Sequence, residues 1–140
     1  MIVLSNRHRT AAEGEWGRLL ETLLPGTHSQ PGASGGRSID VSLWFPNDRA
    51  LRFEVKTSLD PVRPLNMREQ FQLTGYRDLA RRGIMTWYTF KHIDGKNTRW
   101  RVFGLVLPHG RRGRPCLRID GGAESWTPEA FTDRYRGWLK

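Results

Sequence analysis

The sequence predicts an α/β domain with a central mixed β-sheet flanked by α-helices. Three observations lead there: a first stretch of helical period, two pairs of strand-like segments each joined by turn residues with a second helical stretch between them, and a third helical stretch closing the chain. The 140 residues fit one compact domain, here residues 1–140, and 37% hydrophobic with 11% aromatic residues, six of them Trp, supplies enough apolar surface for a packed core.

The first helix is expected over about Thr10 to Leu24, where Trp16, Leu19, Leu20 and Leu23 recur at helical spacing among Glu13, Glu15, Arg18 and Glu21. Pro25 and Gly26 end it, and the Gly-, Ser- and Pro-rich residues 26–36 are expected as a surface loop. Residues 39–45 and 50–57 read as strands of an antiparallel hairpin around Pro46, Asn47 and Asp48. Met67 to Arg82 places Phe71, Leu73, Leu79 and Ala80 in a helical pattern, with Gly83 as its cap. Residues 84–91 and 99–107 form a second strand pair around the turn 94–97, and Cys116 to Ile119 suits a further short strand. Thr127 and Pro128 open a closing helix with Phe131, Tyr135 and Trp138 on one face.

The chain carries 23 Lys and Arg against 14 Asp and Glu, a formal net charge of +9, which favours a polyanionic partner and nucleic acid first. No apolar run approaches the ~18–20 residues that cross a bilayer, and the start is too short in apolar residues for a signal peptide, so no membrane partner and an intracellular, cytoplasmic place are expected. Cys116 stands alone, and no Cys/His set has zinc-ligand spacing. Nineteen of the basic residues are Arg and four are Lys: Lys56, Lys91, Lys96 and Lys140. A Lys therefore stands out where chemistry needs a compact charge.

The chemistry concentrates on the hairpin. Asp40 opens the first strand, and Glu54 and Lys56 share one face of the second by the period-two geometry of strands. Two carboxylates so placed can hold a hard divalent cation, Mg²⁺ with Mn²⁺ as a substitute, while the Lys56 ammonium can orient water or stabilise charge developing on a phosphate. Leu51, Phe53 and Val55 alternate with Arg52, Glu54 and Lys56, so one face is apolar and the charged face is expected to be open to a ligand. Glu13 shares a helix face with Trp16, Gly17 and Leu20 and can point toward the sheet as a third acid that would complete the metal pocket with Asp40 and Glu54, with Glu15 as its rival.

The ordered run of residues 12–26 (AEGEWGRLLETLLPG), 31–40 (PGASGGRSID) and 51–57 (LRFEVKT) resembles the helix, Gly/Ser-rich loop, Asp strand and E-x-K strand of archaeal-type Holliday junction resolvases, within the PD-(D/E)XK nucleases. The resemblance spans about residues 7 to 107 and implies a restriction-endonuclease-like core. It also implies Mg²⁺-dependent cutting of branched DNA, the four-way junction, by a homodimer. By this resemblance Asp40 and Glu54 are metal ligands, Glu13 is the helix-borne acid beside them, and Lys56 is the catalytic lysine. Ile39 stands where the family name has proline, at a position that shapes the strand without taking part in chemistry. The loop serine of such enzymes corresponds to Ser34, with Ser29 and Ser38 as rivals.

Candidate DNA contacts are Arg7, His8 and Arg9, Arg37 in the Gly/Ser-rich segment, Arg81 and Arg82, and Arg111, Arg112 and Arg114, because guanidinium forks fit phosphate oxygens. Gln72 and Tyr76 form a Q-x-x-x-Y pair one helical turn apart, a spacing that resembles a motif of recombination exonucleases with the same core; Gln70 is the alternative to Gln72. Other PD-(D/E)XK nucleases of restriction, repair or flap-cutting type, and a non-catalytic basic DNA-binding protein, are the competing expectations.

Overall fold

The computed structural model describes residues 6–32, 39–121 and 124–140, with the main chain alone at residues 6, 7 and 9. Its elements, in chain order, are α1 (Asn6–Leu23), β1 (His28–Pro31), β2 (Val41–Trp44), β3 (Ala50–Ser58), β4 (Val62–Pro64), α2 (Met67–Arg81), β5 (Thr86–Asp94), β6 (Asn97–Phe103), β7 (Cys116–Arg118), β8 (Ser125–Trp126) and α3 (Pro128–Asp133). Among the described residues a six-stranded sheet runs in the order β1-β2-β3-β5-β6-β8, and β4 with β7 forms a separate antiparallel pair. All pairings in the large sheet are antiparallel except β3 with β5, which are parallel because α2 carries the chain back across the sheet. The expected mixed α/β sheet flanked by helices is therefore present.

Each face of the sheet carries its own core. One face packs Ala12, Trp16, Leu20 and Leu24 of α1 and its end against Leu51, Phe53 and Val55 of β3, with Phe131 of α3 closing it. The Trp16 ring meets Phe53 edge-on at 5.5 Å and stacks on Trp100 at 5.1 Å, geometries that aromatic quadrupoles favour. The other face holds Leu73 of α2 together with Tyr88, Phe90, Phe103 and Leu117. β3 and β5 are thus buried on both sides, as parallel neighbours under a crossover helix are.

Local chemistry sets the ends of α2. Asn66 accepts from the Glu69 N–H at 2.8 Å while Glu69 accepts from the Asn66 N–H at 3.0 Å, a reciprocal cap. At the other end Gly83 takes φ +87°, and the N–H groups of Gly83 and Ile84 donate to Ala80 and Leu79 at 3.0 Å each. This is the left-handed closure that favours glycine.

Four expectations need correction. Part of the segment expected as loop is β1, an edge strand with His28, Gln30 and Pro31 exposed, whose ladder is supplied by β2. Its Ser29 Oγ donates to Glu21 at 3.1 Å, and α1 approaches so closely that a Cβ on Gly17 would stand 2.6 Å from that Oγ. Phe71, expected on the apolar face of α2, is 70% exposed, because Glu69, Gln72, Leu73 and Tyr76 form the inward face. The closing helix ends at Asp133 and continues only as a 3₁₀ turn at Arg136–Leu139, although Thr127 caps it and Phe131, Tyr135 and Trp138 all reach the core. The charged face of β3 is not open, since α2 lies over it and Glu54 is only 4% exposed.

Candidate active site

The β2–β3 ladder ends at the pair Val41 and Phe53, which leaves the N–H of Val55 without a strand partner. The Asp40 carboxylate takes that place, accepting from Val55 N at 2.8 Å through Oδ2. Asp40 is thereby fixed beside the next residue of the strand, Glu54. Burial, followed by the charge of Asp40 and hydrogen bonding to it, pushes the Glu54 pKa up to about 8. The attraction of Lys56 and a hydrogen bond from Tyr76 act in the opposite direction and are outweighed. With both acids ionised, the buried Oε2 of Glu54 has no donor to accept from.

Glu13 comes to this pair from α1. It is half-buried, and its pKa is raised to about 7 by burial first and by the charge of Asp40 second, against the pull of Lys56. Glu15 faces elsewhere and pairs with the buried Lys91 of β5, whose ammonium also lies 5.6 Å from the Trp100 ring. The two candidate acids of α1 are thus assigned to different neighbours.

Lys56 shares the face of Glu54, as period two requires, and its Nζ lies 2.9 Å from Glu69 Oε2. Arg63 of β4 grips both oxygens of Glu69 at 2.9 Å and also donates to Thr57 O at 3.2 Å. Burial alone would raise the Glu69 pKa, but Arg63, Lys56 and the Asn66 N–H together hold it down at about 2. Lys56 is therefore held beside a permanent anion. Sequence reasoning missed Glu69 and Arg63; the Asn66-x-x-Glu69 spacing of a capping box was the available signal for the first, and nothing marked the second.

From above, the Tyr76 hydroxyl of α2 donates to Glu54 Oε1 at 3.1 Å, and its ring meets Tyr88 edge-on at 6.0 Å. Burial and the Glu54 charge push its ionisation far above the ordinary tyrosine range, so it stays a donor. Gln72 Oε1 is buried without a partner, whereas Gln70 commits its amide to Leu65 O at 3.1 Å at the helix entrance. The Gln72–Tyr76 pair is the one aimed inward.

The other residues expected to touch DNA do not meet at this centre. Arg111 and Arg112 are exposed on a 3₁₀ turn beside the β4–β7 pair, and His8 is exposed on α1. Ser34, its rival Ser38, and Arg37 lie outside the described residues, as do the side chains of Arg7 and Arg9. Ser29 is committed to Glu21.

The donor set fits a hard divalent cation. Two crowded carboxylates, one with a buried oxygen that has no donor, present oxygen ligands and a repulsion that a cation would relieve. Among the described residues no three His, Cys, Asp or Glu side chains gather as a metal cage. A hard divalent cation held by such a pair would draw its remaining ligands from water and phosphate oxygens.

No family model and no curated protein matches this chain. Its structure is similar to the 1.6 Å structure of Archaeoglobus fulgidus Hjc, a Holliday junction resolvase from an archaeal hyperthermophile. The superposition has a TM-score of 0.56 at 17% identity and covers 79% of this chain and 88% of that one. The chain therefore has the fold of that resolvase, a mixed sheet flanked by helices.

Proposed function

We propose that this chain is a structure-selective DNA endonuclease that resolves four-way junctions as a homodimer. The observation that carries the reading is the pairing of the half-buried Asp40 carboxyl with the buried Glu54 carboxyl, with Lys56 on the strand face of Glu54, set in the fold of a Holliday junction resolvase. The +9 charge favours the polyanionic substrate. No helix among the described residues is long and apolar enough to cross a membrane, and the proposed place of action is the cytoplasm.

Asp40 and Glu54 are the proposed ligands of Mg²⁺, with Glu13 reaching it through a bound water. The cation would lower the pKa of a bound water and neutralise charge on the phosphate. Lys56, steadied by Glu69, offers its ammonium to the non-bridging oxygens as charge builds in the transition state. Tyr76 holds Glu54 in place through Oε1 and leaves Oε2 for the ligand. Two such centres related by a two-fold axis would match the symmetry of a four-way junction and would give paired nicks.

The test is cleavage of end-labelled four-way junction, flap, duplex and single-stranded DNA of matched sequence by wild type and Glu54→Gln, with Mg²⁺ or with chelator. Paired symmetric nicks on the junction alone, lost with chelator and in the variant, are the expected result. Equal cutting of duplex or flap would retain a nuclease and reject resolution. Binding without metal-dependent cutting would reject both.

A further inference from the structure

The carboxylate centre makes no use of an arginine-lined concavity elsewhere among the described residues. A cleft of about 840 Å³ opens between the residues entering β4 and the turn preceding β7. Arg111, Arg112, Arg114 and Arg118 line it, and Asp60 is the one carboxylate in its wall. Arg118 is engaged by Asp120 at 3.0 Å. Arg111, Arg112 and Arg114 are exposed, and none pairs with a carboxylate among the described residues.

The turn that presents them is firmly held. Gly110 N donates to Arg114 O and Cys116 N to Pro108 O, each at 2.9 Å, and His109 bridges to Pro115. A side chain at Gly110 would collide with the Cys116 sulfur. Arg112 sits at φ 63° and ψ 21°, a left-handed conformation that glycine or asparagine adopts at lower cost. An arginine kept at a strained position, in a rigid turn, with its charge unneutralised, is an arrangement that serves a ligand better than it serves the fold.

We propose that this cleft is a second anchoring site for a phosphodiester backbone, seating a neighbouring stretch of the DNA on which the carboxylate centre acts. The inference rests on the nuclease reading for its substrate. Several guanidiniums spread over an open cleft suit a run of phosphates better than one enclosed small anion. The placement also fits: Asp60, on the cleft wall, follows Lys56 by four residues, at most about 14 Å of chain. Along one strand of B-DNA that is about four nucleotides at ~3.4 Å each. Arg63 ties the two places together, since its strand forms part of the cleft wall while its guanidinium grips Glu69 beside Lys56.

The experiment is fluorescence anisotropy of a labelled four-way junction in chelator, over a range of salt, for wild type and Arg111→Ala/Arg112→Ala/Arg114→Ala. The triple variant should bind about tenfold or more weakly, and the slope of log affinity on log salt should shrink by about 0.9 for each phosphate that is no longer neutralised. Arg112→Gly should raise the melting temperature while weakening DNA binding, a pairing of signs that a purely structural arginine does not give. Unchanged affinity and slope in the triple variant would overturn the proposal. So would a difference from wild type that millimolar inorganic phosphate abolishes while both proteins go on binding DNA, since that marks a small-anion site. If the triple variant loses binding and wild type never cuts with Mg²⁺, the cleft stands and the nuclease reading falls. If wild type cuts and the triple variant binds normally, the cleft alone falls.

Discussion

Lys56 and Glu69 face each other at 2.9 Å across the seam between β3 and α2, and the carboxylate belongs to the residue that completes the capping box of α2 with Asn66. The start of the helix and the position of the proposed catalytic ammonium are therefore one structural feature. Glu69→Gln leaves Arg63 and Lys56 without their shared anion in a mostly buried setting, and removal of one partner from such a group costs about 3 kcal/mol. Chemical denaturation should show that loss. In cleavage assays the same variant should turn over about 100-fold more slowly with DNA affinity unchanged, because displacement of a positioned group by about 1 Å has that effect. Unaltered turnover would detach Glu69 from the chemistry and leave it a structural cap.

Stability should respond to pH in two opposite limbs. Glu54 has a folded pKa of about 8, above its ordinary value, so between those values the folded protein holds a proton that the unfolded chain releases. Stability then falls as pH rises through this window. Glu13, raised to about 7, adds in the same direction. Glu69, lowered to about 2, contributes stability that is fully present above the ordinary carboxylate value and is lost as pH falls toward 2. Thermal melts in chelator should therefore peak near pH 5, between the two limbs. Glu54→Gln should flatten the alkaline limb alone, and Mg²⁺ should stabilise wild type more at pH 8 than at pH 5. Identical pH curves for wild type and Glu54→Gln would contradict this account of the carboxyl pair.

Tyr76→Phe isolates the hydroxyl that acts on Glu54. Its hydrogen bond lowers the Glu54 pKa, so its removal should drive that pKa further above about 8. The rise of cleavage rate with pH should move to higher pH by about one unit, a tenfold deficit at neutral pH that shrinks under alkaline conditions. A deficit of equal size at every pH would mean that the hydroxyl acts on position and not on proton affinity.

The hairpin of β2 and β3 was legible because apolar alternation and the Pro-Asn-Asp turn agree on one register. Asp40, Glu54 and Lys56 followed from that register. β1 was illegible since His28, Ser29, Gln30 and Pro31 carry no strand pattern, and their order comes from β2 and from the close approach of α1 at Gly17. The burial of Glu54 was illegible for a related reason: alternation shows which face is polar but not that α2 returns across it with a tyrosine able to satisfy one oxygen. Phe71 misled in the same way, its apolar character suggesting the inward face that Glu69, Gln72 and Tyr76 occupy. Polar side chains on the inner face of a helix are readable only once their partners on the sheet are known.

The two acids of α1 should separate cleanly by mutation. Glu15 pairs with Lys91, a lysine only 7% exposed, so Glu15→Gln leaves a buried ammonium without its counter-charge. That variant should lose about 2 kcal/mol of stability, with cleavage intact at temperatures well below its melt. Glu13 is in the reverse situation, its ionised form disfavoured by burial and by Asp40. Glu13→Gln should be neutral or slightly stabilising at pH 8 in chelator, since it removes a charge that folding holds near another of the same sign. Its cleavage rate should nevertheless fall about tenfold or more, with a higher Mg²⁺ requirement, if its carboxylate meets the cation through water as proposed. Stability melts and Mg²⁺ titrations of the two variants side by side decide the matter. Loss of stability in Glu13→Gln together with full activity would exchange the roles of the two residues.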